Sequence, residues 1–133
     1  MPESYYGYEV REPFLKEANY FDQNRNVTGM ATEDGKIILN PFSGLSKEQS
    51  QAVAKNEAIR LFLRESKLEP DFDVTPAQLE SFKGTKYADP ENELHLKHSL
   101  ISRILTNDSS AGEVTEDQQG WADYVLKQLE KRE

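Results

Sequence analysis

The chain of 133 residues contains no cysteine, which excludes disulfides, thiolate nucleophiles and zinc centres of the cysteine type. Its seven glycines are scattered singly, so neither a phosphate loop nor a dinucleotide fingerprint can be written from them. No stretch approaches the ~20 consecutive apolar residues that span a bilayer. Basic residues are in the minority, 16 against 24 acidic, for a net charge of −8. Lysine and arginine form no stripe, and such a field repels phosphate backbones and anionic lipid alike. The expected partners therefore include neither nucleic acid nor membrane. Met1-Pro2-Glu3-Ser4-Tyr5-Tyr6 has no basic region leading into an apolar run, so no signal peptide is expected and the cytoplasm is the default compartment.

What is present suits a small domain with a heavily solvated surface. The chain is 36% hydrophobic and 30% charged, and at this length it can bury roughly two-thirds of its unfolded surface without a covalent staple. Residues 1–10 are tyrosine-rich without periodicity and read as a flexible arm or an added strand; residues 11–131 read as one domain. Pro13 stands where a first helical position would, and Phe14, Ala18 and Phe21 follow at i, i+4, i+7. Val27–Ala31 and Lys36–Asn40 flank Thr32-Glu33-Asp34-Gly35, which reads as a hairpin around an Asp-Gly turn.

Three helices announce their own starts. Ser46-x-x-Gln49, Thr75-x-x-Gln78 and Thr115-x-x-Gln118 are capping boxes, and Asp89-Pro90 starts a fourth helix by its N-cap and N1 residues. The expected helices span about 46–65, 75–83, 90–106 and 115–131, with Gly84 ending the second. The fold class is α+β: a helix-rich domain in which a two- or three-stranded antiparallel hairpin packs on the helix at 46–65.

On that helix the ~100° step per residue places Ala52, Val53, Asn56, Ile59, Arg60 and Leu63 on one face, with Glu57 beside it. Two polar side chains within an apolar stripe require partners. The pattern Gly35-Lys36-Ile37-Ile38-Leu39-Asn40-Pro41, a short loop and then Asn56-Glu57-Ala58-Ile59-Arg60 resembles the core of the zincin-like peptidases. Their His-Glu-x-x-His carries two metal ligands and a general base. Here the Glu is kept and both His are replaced, so the resemblance implies a metal-free relative with no catalytic residues and no cofactor. Runs including Val27–Asp34, Leu39–Ser43, Asn56–Arg60, Gly84–Ala88 and Arg103–Leu105 also look like a small group of bacterial and prophage-borne proteins. That second likeness carries no chemistry.

His95 and His98 lie at i, i+3 on the helix at 90–106, a spacing that can place two imidazoles on one metal. Further ligands would have to come from Glu57, Glu93 or Asp89. Leu94, His98, Ile101 and Leu105 form a stripe that instead makes His98 a histidine at the core edge. Trp121, Ala122, Val125 and Leu129 read as core, while Tyr5, Tyr6 and Tyr8 read as docking on the domain. The leading functional expectation is a non-enzymatic, pseudo-peptidase-like accessory or interaction module. Its cleft edge, Ile37, Leu39 and Asn40, would hold a protein or extended peptide by β-addition beside Asn56, Glu57 and Arg60. The alternatives are a metal-dependent hydrolase with Glu57 as base, and a purely structural polar cluster with binding elsewhere.

Overall fold

The computed structural model describes residues 3–83 and 93–132. Among them are five α-helices and two antiparallel two-stranded sheets, a helix-rich α+β fold. The helix start expected at Asp89-Pro90, the stop at Gly84 and the 84–88 run lie outside the described residues. Packing divides the described chain into two compact units, one of residues 3–62 with Arg132 and one of residues 63–131.

In the first unit, β1 (Ser4–Tyr5) and β2 (Tyr8–Glu9) pair antiparallel around Tyr6 and Gly7, whose φ values are 52° and 83°. Two consecutive left-handed residues make the tight turn whose twist matches its strands. The tyrosine segment thus folds as a hairpin, with Tyr8 buried. Arg132 closes over it, donating to the Tyr6 carbonyl at 3.0 Å and stacking its guanidinium 4.0 Å from the Tyr8 ring centroid. Burial and the neighbouring Glu3 push the Tyr5 phenol up to about 12.

Helix α1 (Leu15–Gln23) starts two residues later than Pro13 suggests, with Phe14 as its N-cap. Glu17 caps it by accepting from the Phe14 amide at 2.8 Å. The same carboxylate takes both guanidinium nitrogens of Arg11, at 2.7 and 2.9 Å. Of the expected stripe only Phe21 is buried; Phe14 is 65% exposed and lies under Arg11 instead. The expected hairpin is β3 (Gly29–Ala31) with β4 (Ile37–Leu39), in register Gly29 to Leu39. Its loop is a turn closed by the Gly35 amide on the Thr32 carbonyl, with Gly35 at φ 76°.

Helix α2 (Lys47–Ser66) opens with the Ser46–Gln49 capping box. Its Ala54, Ala58 and Leu61 join Tyr8 and Ile37 in the core of this unit. The approach to the hairpin is closest at Gly29, where an added Cβ would stand 2.8 Å from the Val53 side chain. The hairpin does pack on α2, and Gly29 is the position that permits it.

In the second unit, α3 (Pro76–Phe82) and α5 (Glu116–Glu130) begin at the expected capping boxes, on Thr75 and Thr115. Helix α4 (Glu93–Leu105) packs against α5. Phe72, Phe82, Leu100, Ile101, Val125 and Leu129 fill the core. The third residues of the two boxes meet there. Gln78 and Gln118 exchange amide hydrogen bonds, each Nε2 donating to the other's Oε1 at 2.8 Å. Each Oε1 also accepts from its own cap amide, and the Gln118 Nε2 also donates to the Asp73 carbonyl at 2.7 Å. Both side chains are buried, and every polar atom of the pair is satisfied.

Candidate functional site

Helix α2 is buried over a wider arc than the sequence pattern marks. Ala54, Ala58 and Leu61 join the first unit's core; of the expected face, Ile59 and Leu63 are buried and Val53 meets the hairpin at Gly29, while Ala52 is exposed and Asn56 and Arg60 are half-buried. The buried arc of α2 is therefore wider than the expected face and includes part of it. Glu57, expected alongside, is buried, with its side chain 8% exposed, and Arg60 Nη1 stands 3.8 Å from its Oε1. Asn56, Glu57 and Arg60 each have further interactions in the fold.

The expected cleft edge is occupied by the protein itself. Ile37 is fully buried, bridges to Val10 and accepts the Arg11 amide on its carbonyl at 2.9 Å. Leu39 is partly buried against the core. Asn40 is a staple between loops: its Nδ2 donates to the Val27 carbonyl at 2.6 Å, and its Oδ1 accepts the Phe42 amide at 2.8 Å. A peptide adding at Ile37 would have to displace the segment at Val10 and Arg11. These backbone bonds are made with residues distant in sequence, so no periodicity reveals them.

Glu57 and His98 belong to different units. His98 Nε2 lies 2.8 Å from the Leu68 carbonyl, which fixes that nitrogen as the donor. Burial pushes the imidazole below its ordinary value, partly opposed by this bond. His95 is half-buried and also engaged. Neither is part of a metal-binding group: among the described residues no three His, Asp or Glu side chains converge as a metal would require. The buried face of α4 is Leu96, Ser99, Leu100, Ile101 and Ser102, while Leu94 is 38% exposed; of the expected stripe, Ile101 is in the core and His98 is half-buried at its edge.

A site that the sequence did not single out lies on the second unit. Asp71, Glu116, Asp117, Gly120, Trp121 and Tyr124 line an open depression of about 560 Å³. Trp121 was expected in the core. Its neighbours Ala122, Val125 and Leu129 are fully buried, but Trp121 itself is only half-buried. Its Nε1 donates to Asp71 Oδ1 at 3.1 Å, and Tyr124 meets it edge-on, with centroids 6.0 Å apart and an interplanar angle of 86°. The placement follows from helix geometry: Gly120, Trp121 and Tyr124 share a face, and Glu116 and Asp117 lie one turn earlier on it. An added Cβ at Gly120 would meet nothing within 4 Å, so this part of the surface is open. The Gln118 bond to Asp73 holds the 71–73 segment against α5, which keeps Asp71 over the indole.

No helix among the described residues is long and apolar enough to cross a membrane. Set against protein-family models, curated proteins and solved structures, the chain finds no match in any of the three.

Proposed function

We propose that the protein is a non-enzymatic accessory or interaction module that works through the depression on α5. The observation that carries this reading is an open concavity walled by Trp121 and Tyr124, with Tyr124 47% exposed. Half-exposed aromatic rings in a concave surface are a costly arrangement for a solvated domain and a frequent one for a binding surface. The polar cluster of α2 supports the same reading by its position. Glu57 is buried with Arg60 of the same helix 3.8 Å away.

The competing hydrolase requires Glu57 as base beside a bound metal. Metal content of the purified full-length protein, with melting temperature measured before and after chelation, separates the two. The expected result is metal far below one equivalent and an unchanged melting temperature. A stoichiometric zinc or manganese whose removal lowers the melting temperature overturns the proposal.

A further inference from the structure

Arginine on an aromatic ring is a recurring contact in this chain. Arg11 lies 4.0 Å from the Phe14 ring centroid, Arg103 lies 3.8 Å from that of Phe82, and Arg132 lies 4.0 Å from that of Tyr8. Trp121 and Tyr124 are not covered in this way. They contact each other, and among the described residues no lysine or arginine stacks on either. Indole has the strongest attraction for a cation of the aromatic side chains. Around these two rings stand three carboxylates, Asp71, Glu116 and Asp117, and among the described residues no basic one lines the depression. The Asp71 bond fixes the indole by its edge, which leaves stacking to its face.

We infer that this depression receives an arginine-rich segment of a partner protein, with a guanidinium stacked on Trp121 and Tyr124 and paired with Glu116 and Asp117. Guanidinium suits the geometry better than ammonium, because it is planar, stacks on rings and forks onto carboxylates. A volume of about 560 Å³ open on one side fits the side chains of an extended segment rather than an enclosed small molecule. The chain's net charge of −8 adds long-range attraction for such a partner. The inference rests on the interaction reading and names its partner chemistry.

Trp121 is the only tryptophan in the chain, so emission excited selectively from tryptophan reports on this depression. The experiment titrates the full-length protein with a hexa-arginine peptide, and with hexalysine and hexaglutamate in parallel. Hexa-arginine is expected to change the emission saturably, with affinity falling as salt rises. Removing two facing charges in Glu116→Gln/Asp117→Asn should weaken binding about tenfold. The pair Glu33→Gln/Glu48→Gln, which does not line the depression, changes net charge equally and should weaken it by less than about twofold. Tyr124→Leu should weaken binding severalfold, with far-UV circular dichroism unchanged in all variants. No saturable response to hexa-arginine, equal losses in the two double variants, or unchanged affinity in Tyr124→Leu overturns the inference. Hexalysine binding as tightly as hexa-arginine, or an equal response to hexaglutamate, overturns the assignment to guanidinium. Metal content is independent of these outcomes, so a failure here removes the arginine partner and leaves the interaction reading to its own test.

Discussion

Replacing Gln118 by methionine preserves side-chain length while removing the amide, and the consequence can be worked out bond by bond. The Gln118 side chain takes part in four hydrogen bonds: from the Thr115 amide at 3.1 Å, from Gln78 Nε2 at 2.8 Å, to Gln78 Oε1 at 2.8 Å and to the Asp73 carbonyl at 2.7 Å. At about 1 kcal/mol net for each, the loss is about 4 kcal/mol, a large share of the 5–15 kcal/mol typical of a folded domain. Gln78→Met should cost a similar amount, because Gln78 also serves the Thr75 amide and the Ala111 and Glu113 carbonyls. In the double variant the two mutual bonds are lost once, although each single variant loses both. Nor does either amide remain to be stranded in an apolar site. The double variant should therefore be more stable than the sum of the singles implies, by about 2–3 kcal/mol. Urea denaturation followed by far-UV circular dichroism measures all three. Additivity within about 0.5 kcal/mol would refute the reasoning, since it would mean that the two amides do not depend on each other. The pair also holds the segment that carries Asp71, so Gln118→Met should alter the emission of Trp121 in the folded protein.

Gly29→Ala should lower stability by about 1–3 kcal/mol, because the new methyl meets the stiff Val53 side chain at 2.8 Å. Adding Val53→Ala should return part of that loss, and an unchanged melting temperature for Gly29→Ala would count against the close approach. Arg60→Met should cost about 2–3 kcal/mol by removing the cation 3.8 Å from a buried carboxylate. Glu57→Leu/Arg60→Met should recover more than half of it in thermal melts; a double variant less stable than the single would contradict this. His98 should titrate below the ordinary histidine value of 6.5 by NMR, since burial disfavours its charged form. Its contribution to stability is then present above pH 6.5 and is lost as pH falls through the lower folded value. A folded-state value above 6.5 would contradict the geometry. The Glu17 carboxyl is also held low, chiefly by its hydrogen bonds from Arg11. Arg11→Met should therefore raise the pH at which acid unfolding begins, and an unchanged acid transition would argue against that pairing.

Starts of helices and the main hairpin were readable because their causes are local. A hydroxyl and a glutamine three residues apart satisfy amides within the same turn, so Ser46, Thr75 and Thr115 each marked a real boundary. Asp34-Gly35 marked the turn because only its own backbone geometry was at stake. Helix faces were harder. On α2 the buried residues include Ala54, Glu57, Ala58, Ile59, Leu61 and Leu63, which is too broad a distribution for one apolar stripe. Alanines such as Ala54 and Ala58 carry little hydrophobic weight, so the pattern marked only the part of that arc around Val53, Ile59 and Leu63.

The candidate site shows the same division most clearly. The sequence by itself determined an acidic, cysteine-free chain, an α5 that begins at Thr115, and the spacing that puts Gly120, Trp121 and Tyr124 on one side of that helix. Trp121 read as core because its neighbours are core. Only the tertiary structure decided that it faces outward, that Asp71 arrives from 50 residues away to hold its indole, and that Gln78 and Gln118 use their capping amides to lock that segment in place. Local pattern records what each helix needs within its own turns. Which groups meet across 40 or 50 residues is set by how the apolar faces pack, and no single stretch of sequence contains that information.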